Sequence, residues 1–559
     1  MSQLAEPLFG LLEHSPEPEL VTVFFMISVL FLLSFTVFYL SEQVQLPSFV
    51  MAIFVGMAAR PLLEPIDHQH TVLSALVGLG ATLMLFGGGL ETPFKNFKKL
   101  IVKIVLLSFV GLLLTAVLFS QTIVWLNDLF HLNISVAMAV LLGAVLASTD
   151  PAAIIPILKR LRFKNRLVKD MIISESAVTD VSGTMLTVVF LALISAGTVF
   201  TSLAQGYQLI VSADSALNIA TQLGLGVLFG VIGYGILELV QRWKKSHERE
   251  YEADSAFFLF IPVILFTFAI TFGGSGYLAA FIAGLLFNLQ EHLHDTEKFF
   301  NHLIDAFFKP IIFILLGSLV DPGSLLEYAG IGIVAGLAFM LIIRPLAVFS
   351  TLGTFTWFGK DRFSLRELLF ISCVRETGAI PAVLLVTIIS LGLPDVTGLL
   401  PIGMWVILLT LVIEPILTPW FAKRLAVAET MSDAEPLELV VAPSVLLVSR
   451  GRTFVERLPK AIDWAMQHHI PNVTVLLCLE DRYTSALEEA IAAEANTLFE
   501  QSPSELTYKF ISRQGLLQDN IEALTDSNQS IAAVFVGRKM LDYRLPDVKR
   551  LQVPLVFID

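Results

Sequence analysis

Charge is what this chain of 559 residues has least of: Asp, Glu, Lys and Arg together make up 15%, against 55% hydrophobic residues and a mean hydropathy of +0.77. That scarcity excludes a water-soluble globular protein, which needs a charged shell. Cysteine is nearly absent too. Cys373 lies in an apolar run and Cys478 in an expected strand, so no disulfide framework is expected, in keeping with a reducing cytoplasm around the C-terminal part. The phosphate-cradling pattern G-x-x-x-x-G-K-[ST] does not occur, which removes a built-in ATP motor. No cleavable secretory signal is expected, because "EHSPEPEL" is acidic and the first apolar run is already a full span. The formal charge of -13 points to no partner, nucleic acid included, since the basic residues are unevenly placed.

What is present is a succession of apolar runs, each long enough to cross a bilayer. Read against Gly, Pro and charge punctuation, they give about thirteen spans, near 19–41, 46–60, 70–91, 99–126, 134–158, 167–195, 217–241, 254–273, 275–289, 300–320, 327–352, 368–392 and 398–422. With thirteen, the loops "FKNFKK", "KRLRFKNRLVK", "QRWKKSHER", "GKDRFSLR" and "AKR" all fall on one side. The opposite loops hold almost no Lys or Arg, Arg60 being the main exception. Basic loops stay cytoplasmic, so the N-terminus is expected outside and the C-terminal part inside a plasma membrane (the bacterial inner membrane).

From about Met431 the composition changes. "SVLLVS", "VTVLLCL", "LTYKFIS", "IAAVFVG" and "VPLVFI" read as short buried strands, with helical spacing between them in "TFVERLPKAIDWAMQHH" and "TSALEEAIAAEANTLFEQ". The expected organisation is an extracytoplasmic segment (1–18), an all-α polytopic membrane domain (19–425), a linker (426–440) and a soluble α/β domain with a mainly parallel sheet (441–559).

An ionisable side chain inside a span is expensive and marks function by default. Thr149-Asp150-Pro151 interrupts the fifth span, where the proline removes an N–H and frees carbonyls that can coordinate a cation if they line a cavity. A simple proline kink with a hydrogen-bonded Asp is the alternative. In the sixth span, "IISESAVTDVSGTMLTVV", Ser176 and Asp180 share one helix face, and Glu175 and Thr179 share another. Desolvation favours the neutral form of a carboxylate, so one placed here can trade a proton for a metal ion; a structural polar cluster is the alternative. Arg344, deep in "LAFMLIIRPLAVF", needs a buried anion, Glu175 or Asp150, unless it snorkels to an interface. Finally, Gly378 and Pro381 interrupt "VRETGAIPAVLL" in the second half, as Thr149-Asp150-Pro151 does in the first. Paired interruptions of this kind point to inverted repeats with two broken, crossing helices around one site. The histidines His292, His294 and His302 are explained by a solvated loop, and the glycines of "MLFGGGLE" and "GGSGYLAAFIAGLLF" by close helix contacts.

"ASTDPAAI" followed some thirty residues later by "SESAVTD" resembles the sodium/proton exchangers of the cation:proton antiporter superfamily, and the second motif resembles the E-S-x-x-N-D of the electroneutral branch. "GSGYLAAFIAGLLF", "FFKPIIFILLGSLVD", "IIRPLAV" and "GAIPAVL" extend the resemblance over most of residues 20–425. It implies secondary antiport of a monovalent cation (Na⁺, K⁺ or Li⁺) against H⁺ by alternating access, by a homodimer in lipid, with no cofactor beyond the transported ions. Asp180 would bind cation or proton, with Ser176 and the Thr149 carbonyl as further ligands. Asp150 would brace the broken crossing, Glu175 would be neutralised by Arg344, and Arg375, Glu376 and Thr377 would belong to the second broken helix. Three departures stand out. Thr179 replaces the usual asparagine, and also the second aspartate of the electrogenic branch, which favours one-for-one exchange. Gly87 stands where relatives carry a glutamate ligand, leaving Na⁺ and K⁺ both open. Arg375 sits two residues before the position that relatives use.

The C-terminal part resembles universal-stress-protein-like domains, but after Gly537 it reads Arg538-Lys539-Met540, without the pattern of the ATP-binding ones, so nucleotide binding is not expected. A regulatory role, with a small-molecule or protein regulator, is the expectation by analogy. The rival classes are a gated cation channel and a membrane-anchored sensor.

Overall fold

A bilayer leaves no water to satisfy backbone groups, so apolar runs must fold as helices. The computed structural model describes residues 17–430 apart from 45–46, 68, 93, 150–156, 159–160, 247–254, 288–299, 357–361, 375–376 and 394–397. Beyond residue 430 it describes 444–449, 454–468, 470–479, parts of 491–499, 506–514, 531–537 and 555–558. The chain divides into two compact units, Met1–Met431 and Ser432–Asp559.

In the first unit, the opening passes are α1 (Pro18–Val44), α2 (Ser48–Asp67) and α3 (His70–Glu91). Next come α4 (Phe94–Val105) and α5 (Leu112–Phe130), joined by a π-helical stretch over Leu106–Gly111. The fifth pass begins as α6 (Val136–Leu146) and stops there; the sixth is α7 (Arg166–Ser195). A short α8 (Leu203–Ile210) precedes α9 (Ala213–Ser246), α10 (Ser255–Thr271) and α11 (Gly276–Phe287). A π segment, Ile304–Phe308, leads into α12 (Lys309–Leu319), and α13 (Pro322–Glu327) links it to α14 (Ala329–Ala338). A third π segment, Phe339–Ile343, joins α14 to α15 (Arg344–Leu352). The twelfth pass is split into α16 (Leu365–Cys373) and α17 (Ala379–Ser390), and α18 (Leu399–Arg424) completes the unit.

Every expected span overlays helix. Among the described residues eight helices are long and apolar enough to cross a membrane, and four shorter apolar ones include α6 and α17, pieces of the interrupted passes. The largest difference is α2, which runs to Asp67 rather than ending at Arg60. Arg60 is thus a helical residue, and its guanidinium sits 2.8 Å from Asp321, the N-cap of α13. That partner accounts for the one prominent basic residue among the poorly charged loops.

Glycines let the passes approach closely. A β-carbon on Gly284 of α11 would collide with the Phe86 carbonyl of α3, and one on Gly89 of α3 with the Phe281 carbonyl of α11. The same reciprocity joins Gly56 of α2 to Ile314, and Gly317 of α12 to Ile53. The glycines of both quoted stretches are packing contacts, as expected, except Gly273, which has nothing within 4 Å and takes φ +84° in the turn before α11.

A two-stranded antiparallel ribbon lies at the end of the unit. β1 (Leu161–Phe163) pairs with β2 (Ala428–Thr430) in the register Leu161↔Thr430 to Phe163↔Ala428. The expected linker therefore begins with an ordered strand.

In the second unit, β3 (Ser444–Ser449), β4 (Asn472–Leu479), β5 (Thr507–Gln514), β6 (Ile531–Gly537) and β7 (Leu555–Ile558) form one parallel sheet in the order β5-β4-β3-β6-β7. All five coincide with the runs read as strands. α19 (Phe454–Gln467) packs Leu458, Ile462 and Ala465 against Val445 and Val475. Most of "TSALEEAIAAEANTLFEQ" lies outside the described residues.

Candidate functional site

α6 ends at Leu146, and Ala147, Ser148 and Thr149 leave the helix while staying fully buried. α7 passes alongside without a break, N-capped by Asn165, whose side chain accepts from the Leu167 N–H. The two segments meet at Asp180, half-way along α7. Ser148 Oγ donates to Asp180 Oδ1 at 2.6 Å, and the carboxylate's residue is only 6% exposed. One turn earlier, Ser176 Oγ donates to the Thr149 carbonyl, an oxygen that the end of α6 leaves outside the helical ladder. Thr149 Oγ1 lies 3.2 Å from Thr179 Oγ1 and 3.4 Å from Ser176 Oγ, and Thr179 Oγ1 donates to the Ser176 carbonyl at 2.7 Å. Hydroxyls and a carbonyl thus gather beside one carboxylate, a hard oxygen set of the kind alkali cations accept.

Glu175 and Arg344 form a second cluster. Both are buried, at 0% and 1% exposure, with Arg344 Nη2 4.0 Å from Glu175 Oε1. Arg344 Nη1 donates to Thr115 Oγ1 at 3.3 Å. Arg344 therefore does not snorkel, and Glu175, one of its two expected anions, lies beside it; Asp150, the other, lies outside the described residues. Ser108, in the π segment between α4 and α5, donates to the Glu175 carbonyl and accepts from Ser182, tying that segment to α7.

The second interrupted pass comes to the same place. Gly378, at φ -122° and ψ -132°, precedes α17, and the buried Thr377 donates its N–H to Thr410 Oγ1 of α18 at 3.2 Å, with the two hydroxyls 2.7 Å apart. Helix α17 packs on both α6 and α7, and Ile380 in its first turn lines a cavity that also exposes Asp180. Of the residues expected here, Asp150, Arg375 and Glu376 lie outside the described residues.

That cavity, about 50 Å³, is large enough for a water molecule or a bare cation. Its wall runs from Asp180 past Ile173 and Ala177 on α7 to Glu91 at the end of α3, and to Asn301, Asp305 and Lys309 around the π segment before α12. All these residues lie on the side of Asp180 that faces the basic loops. At the opposite end, Ser74 Oγ of α3 and Ser390 Oγ of α17 are 2.8 Å apart. Asp321 there is held below the usual carboxylate range, first by the Ser324 N–H and then by Arg60. Among the described residues no group of three His, Cys, Asp or Glu is placed to hold a metal ion.

The reading from sequence did not single out Ser148, Thr115, Glu91 or Glu414. Glu414 was within reach, since it is an acid inside an apolar run; it is 4% exposed, one turn beyond Thr410. Ser148, a small hydroxyl in a small-residue run, carried no signal of its own.

The family described as "Sodium/hydrogen exchanger, transmembrane" matches residues 25–424. The chain belongs to that family. It is 25% identical over 445 residues to a K(+)/H(+) antiporter NhaP of Alkalimonas amylolytica, covering 76% of this chain and 71% of that one. A K(+)/H(+) antiporter NhaP2 of Shewanella sp. (strain MR-4) is 28% identical over 338 residues, 60% of this chain and 55% of its own length. Na(+)/H(+) antiporter 1 of Methanocaldococcus jannaschii is 25% identical over 361 residues, 62% of this chain and 79% of that one. The structure of the sodium proton antiporter MjNhaP1 from that organism, at pH 8, superposes with a TM-score of 0.59 at 23% identity, over 73% of this chain and 99% of the other. The fold is therefore that of this family's transporters, in a multi-pass membrane protein.

Proposed function

We propose that this chain exchanges one monovalent cation, Na⁺ or K⁺, for one H⁺ across the membrane at a single site centred on Asp180. The observation that carries this reading is the Asp180 carboxylate, buried yet lining a cavity, beside the hydroxyls and the carbonyl left by the broken pass. One carboxylate that holds either a proton or a cation, but never both, couples the two fluxes without further machinery. Ser176, Thr179 and the Thr149 carbonyl supply further oxygens, and Asp150 braces the crossing. Glu175 is neutralised by Arg344, and Arg375, Glu376 and Thr377 serve the second break, where charge balances the half-helix dipoles. The single acid of the T-D pair, Thr179-Asp180, supports electroneutral exchange.

The basic loops put the N-terminus outside and the C-terminal unit in the cytoplasm of the bacterial inner membrane. With that orientation, the cavity opens inward and the Ser74–Ser390 contact closes the outer side. The transporter works as a homodimer, a fixed scaffold against which the broken helices move, and carries out no covalent chemistry. Its C-terminal unit regulates transport; what supports this is β2, which ends at Thr430 and pairs with β1, in the loop between the two passes that build the site.

The test is cation-dependent proton flux in proteoliposomes of the purified chain, comparing Na⁺, K⁺ and Li⁺. The expected result is exchange without net current, lost in Asp180→Asn while that variant stays folded. Full activity of Asp180→Asn would refute the site, and a cation current without proton coupling would make the protein a channel.

A further inference from the structure

We infer that Ser148 is a positioning residue that sets the terms on which protons compete with the cation at Asp180. This rests on the exchange reading above. Ser148 is fully buried in the stretch that follows α6, and its Oγ donates to Asp180 Oδ1 at 2.6 Å. A hydroxyl that donates to a carboxylate stabilises the charged form more than the neutral acid. The charged form is also the one that binds a cation, so Ser148 acts against the proton and not against the ion.

The packing of α7 makes room for that hydrogen bond. Gly183 follows Asp180 by three residues and so shares its side of the helix. A β-carbon at Gly183 would come 2.8 Å from Ser148 Cβ and 3.5 Å from Ser148 Cα. With no side chain there, the interrupted pass lies close enough to α7 for a side chain as short as serine to reach the carboxylate. The hydroxyls one turn to either side on α7 are committed to backbone: Ser176 donates to the Thr149 carbonyl, and Thr184 to the Asp180 carbonyl at 2.7 Å.

The charged groups around Asp180 are few among the described residues. Glu91 of α3 and Asp305 and Lys309 near the start of α12 share its cavity, and Glu175 on α7 lies beside Arg344 of α15. Helices α6, α11 and α17 carry no charged residue, and α5 and α9 carry none over 112–127 and 222–237. Lys103 of α4 is set over the rings of Phe355 and Phe363. Arg366 and Glu367 stand in the capped first turn of α16, and Arg162 of β1 precedes α7 in the chain. A change at Ser148 leaves all of these charges, and Asp150 two residues on, in place, so a moved pH profile reports the hydroxyl itself.

The test measures apparent KM for Na⁺ and for K⁺ across a pH series, in proteoliposomes of the full chain. Ser148→Ala should move the acid limb of exchange to higher pH by roughly one unit, a tenfold gain in proton competition of the size expected when a hydrogen bond to a charged group is lost. On that limb apparent KM should rise by up to roughly tenfold, and at alkaline pH it should converge on the parent value. Gly183→Ala, which pushes Ser148 off the carboxylate, should move the limb in the same direction. The double variant should move it no further than the larger single shift, because both changes remove one interaction. An unmoved acid limb in Ser148→Ala overturns the inference. So does a KM raised equally at every pH, which would make the Ser148 oxygen a cation ligand instead. Should Ser148→Ala fail to accumulate, Gly183→Ala decides alone, and an unmoved limb there is equally fatal. Failure of the unaltered protein to exchange any cation would instead sink the antiport reading.

Discussion

Replacing Glu175 with Gln, Arg344 with Met, and both together separates a structural ion pair from a transported charge. The two groups are 4.0 Å apart and essentially inaccessible. At an effective dielectric constant of about 20, unit charges at that separation attract by about 4 kcal/mol. Removing one partner leaves the other buried without its counter-charge, which typically costs about 3–5 kcal/mol. Glu175→Gln leaves Arg344 its hydroxyl acceptor on Thr115, so its loss should fall near the lower end. Arg344→Met strands a carboxylate and should fall near the upper end. At about 2 °C per kcal/mol, the single variants should unfold about 6–10 °C below the parent, read by thermal denaturation of purified protein in one detergent. The double variant should recover more than half of that, because two neutral, similarly shaped side chains carry no orphan charge. Proton flux of the surviving singles, measured below their transitions and per folded molecule, should remain substantial. A Glu175→Gln variant as stable as the parent would refute the pairing argument. One that is fully stable yet inactive would show that the roles given to Glu175 and Asp180 are reversed.

Two further outcomes follow from the packing. Gly284→Val forces a side chain into the Phe86 carbonyl, so the folded yield and thermal transition should drop by an amount typical of severe overpacking, about 3 kcal/mol or more. Gly235→Ala on α9, where nothing lies within 4 Å of the added carbon, should leave both unchanged, and the pair of variants is compared by size-exclusion profile and melting temperature. Truncation after Met431 should retain exchange in proteoliposomes, which removes the sensor-only reading. Truncation after Leu425 deletes β2 as well and should slow exchange; equal rates in both would show that the ribbon does not act on the site.

The broken fifth pass, the polar sixth pass and the interruption near Gly378 were all legible, because the membrane makes every Asp, Pro or Gly in a span conspicuous. Reciprocal glycine contacts were legible for a related reason: small residues are what close helix approach requires. The cavity was not. Its wall is assembled from α3, α7 and the start of the tenth pass, and no periodicity within one helix says which distant helix it will face. Arg60 was misplaced because "ARPLLEPID" reads as a loop, whereas its prolines are accommodated in a helix that continues to Asp67. The β1–β2 ribbon escaped for a simpler reason. Strands of three residues have no alternation to detect, and "LRF" sits inside a basic loop whose charge dominates any reading.

Interrupting a helix in lipid creates a debt of unpaired backbone groups, and the manner of its settlement explains why this membrane unit is rich in Ser and Thr at particular places. Besides the two broken passes, three π segments among the described residues disturb the ladder, and each touches one of the two polar clusters or the cavity. The stretch Leu106–Gly111 meets α7 through Ser108 and Ser182, and Phe339–Ile343 leads directly into Arg344. The third, Ile304–Phe308, forms part of the cavity wall, and there Ser34 of α1 donates toward the carbonyls of Ala306 and Phe307, at 3.2 and 3.1 Å. In the exchange proposed at Asp180 the same logic would serve transport: the Thr149 carbonyl is met by the Ser176 hydroxyl, a partner that can turn away when a cation arrives. A backbone N–H in its place would satisfy that oxygen permanently and shut the site. On that proposal the hydroxyl would keep the broken pass stable while the ion is absent and yield the carbonyl when it is present, which a continuous helix cannot do.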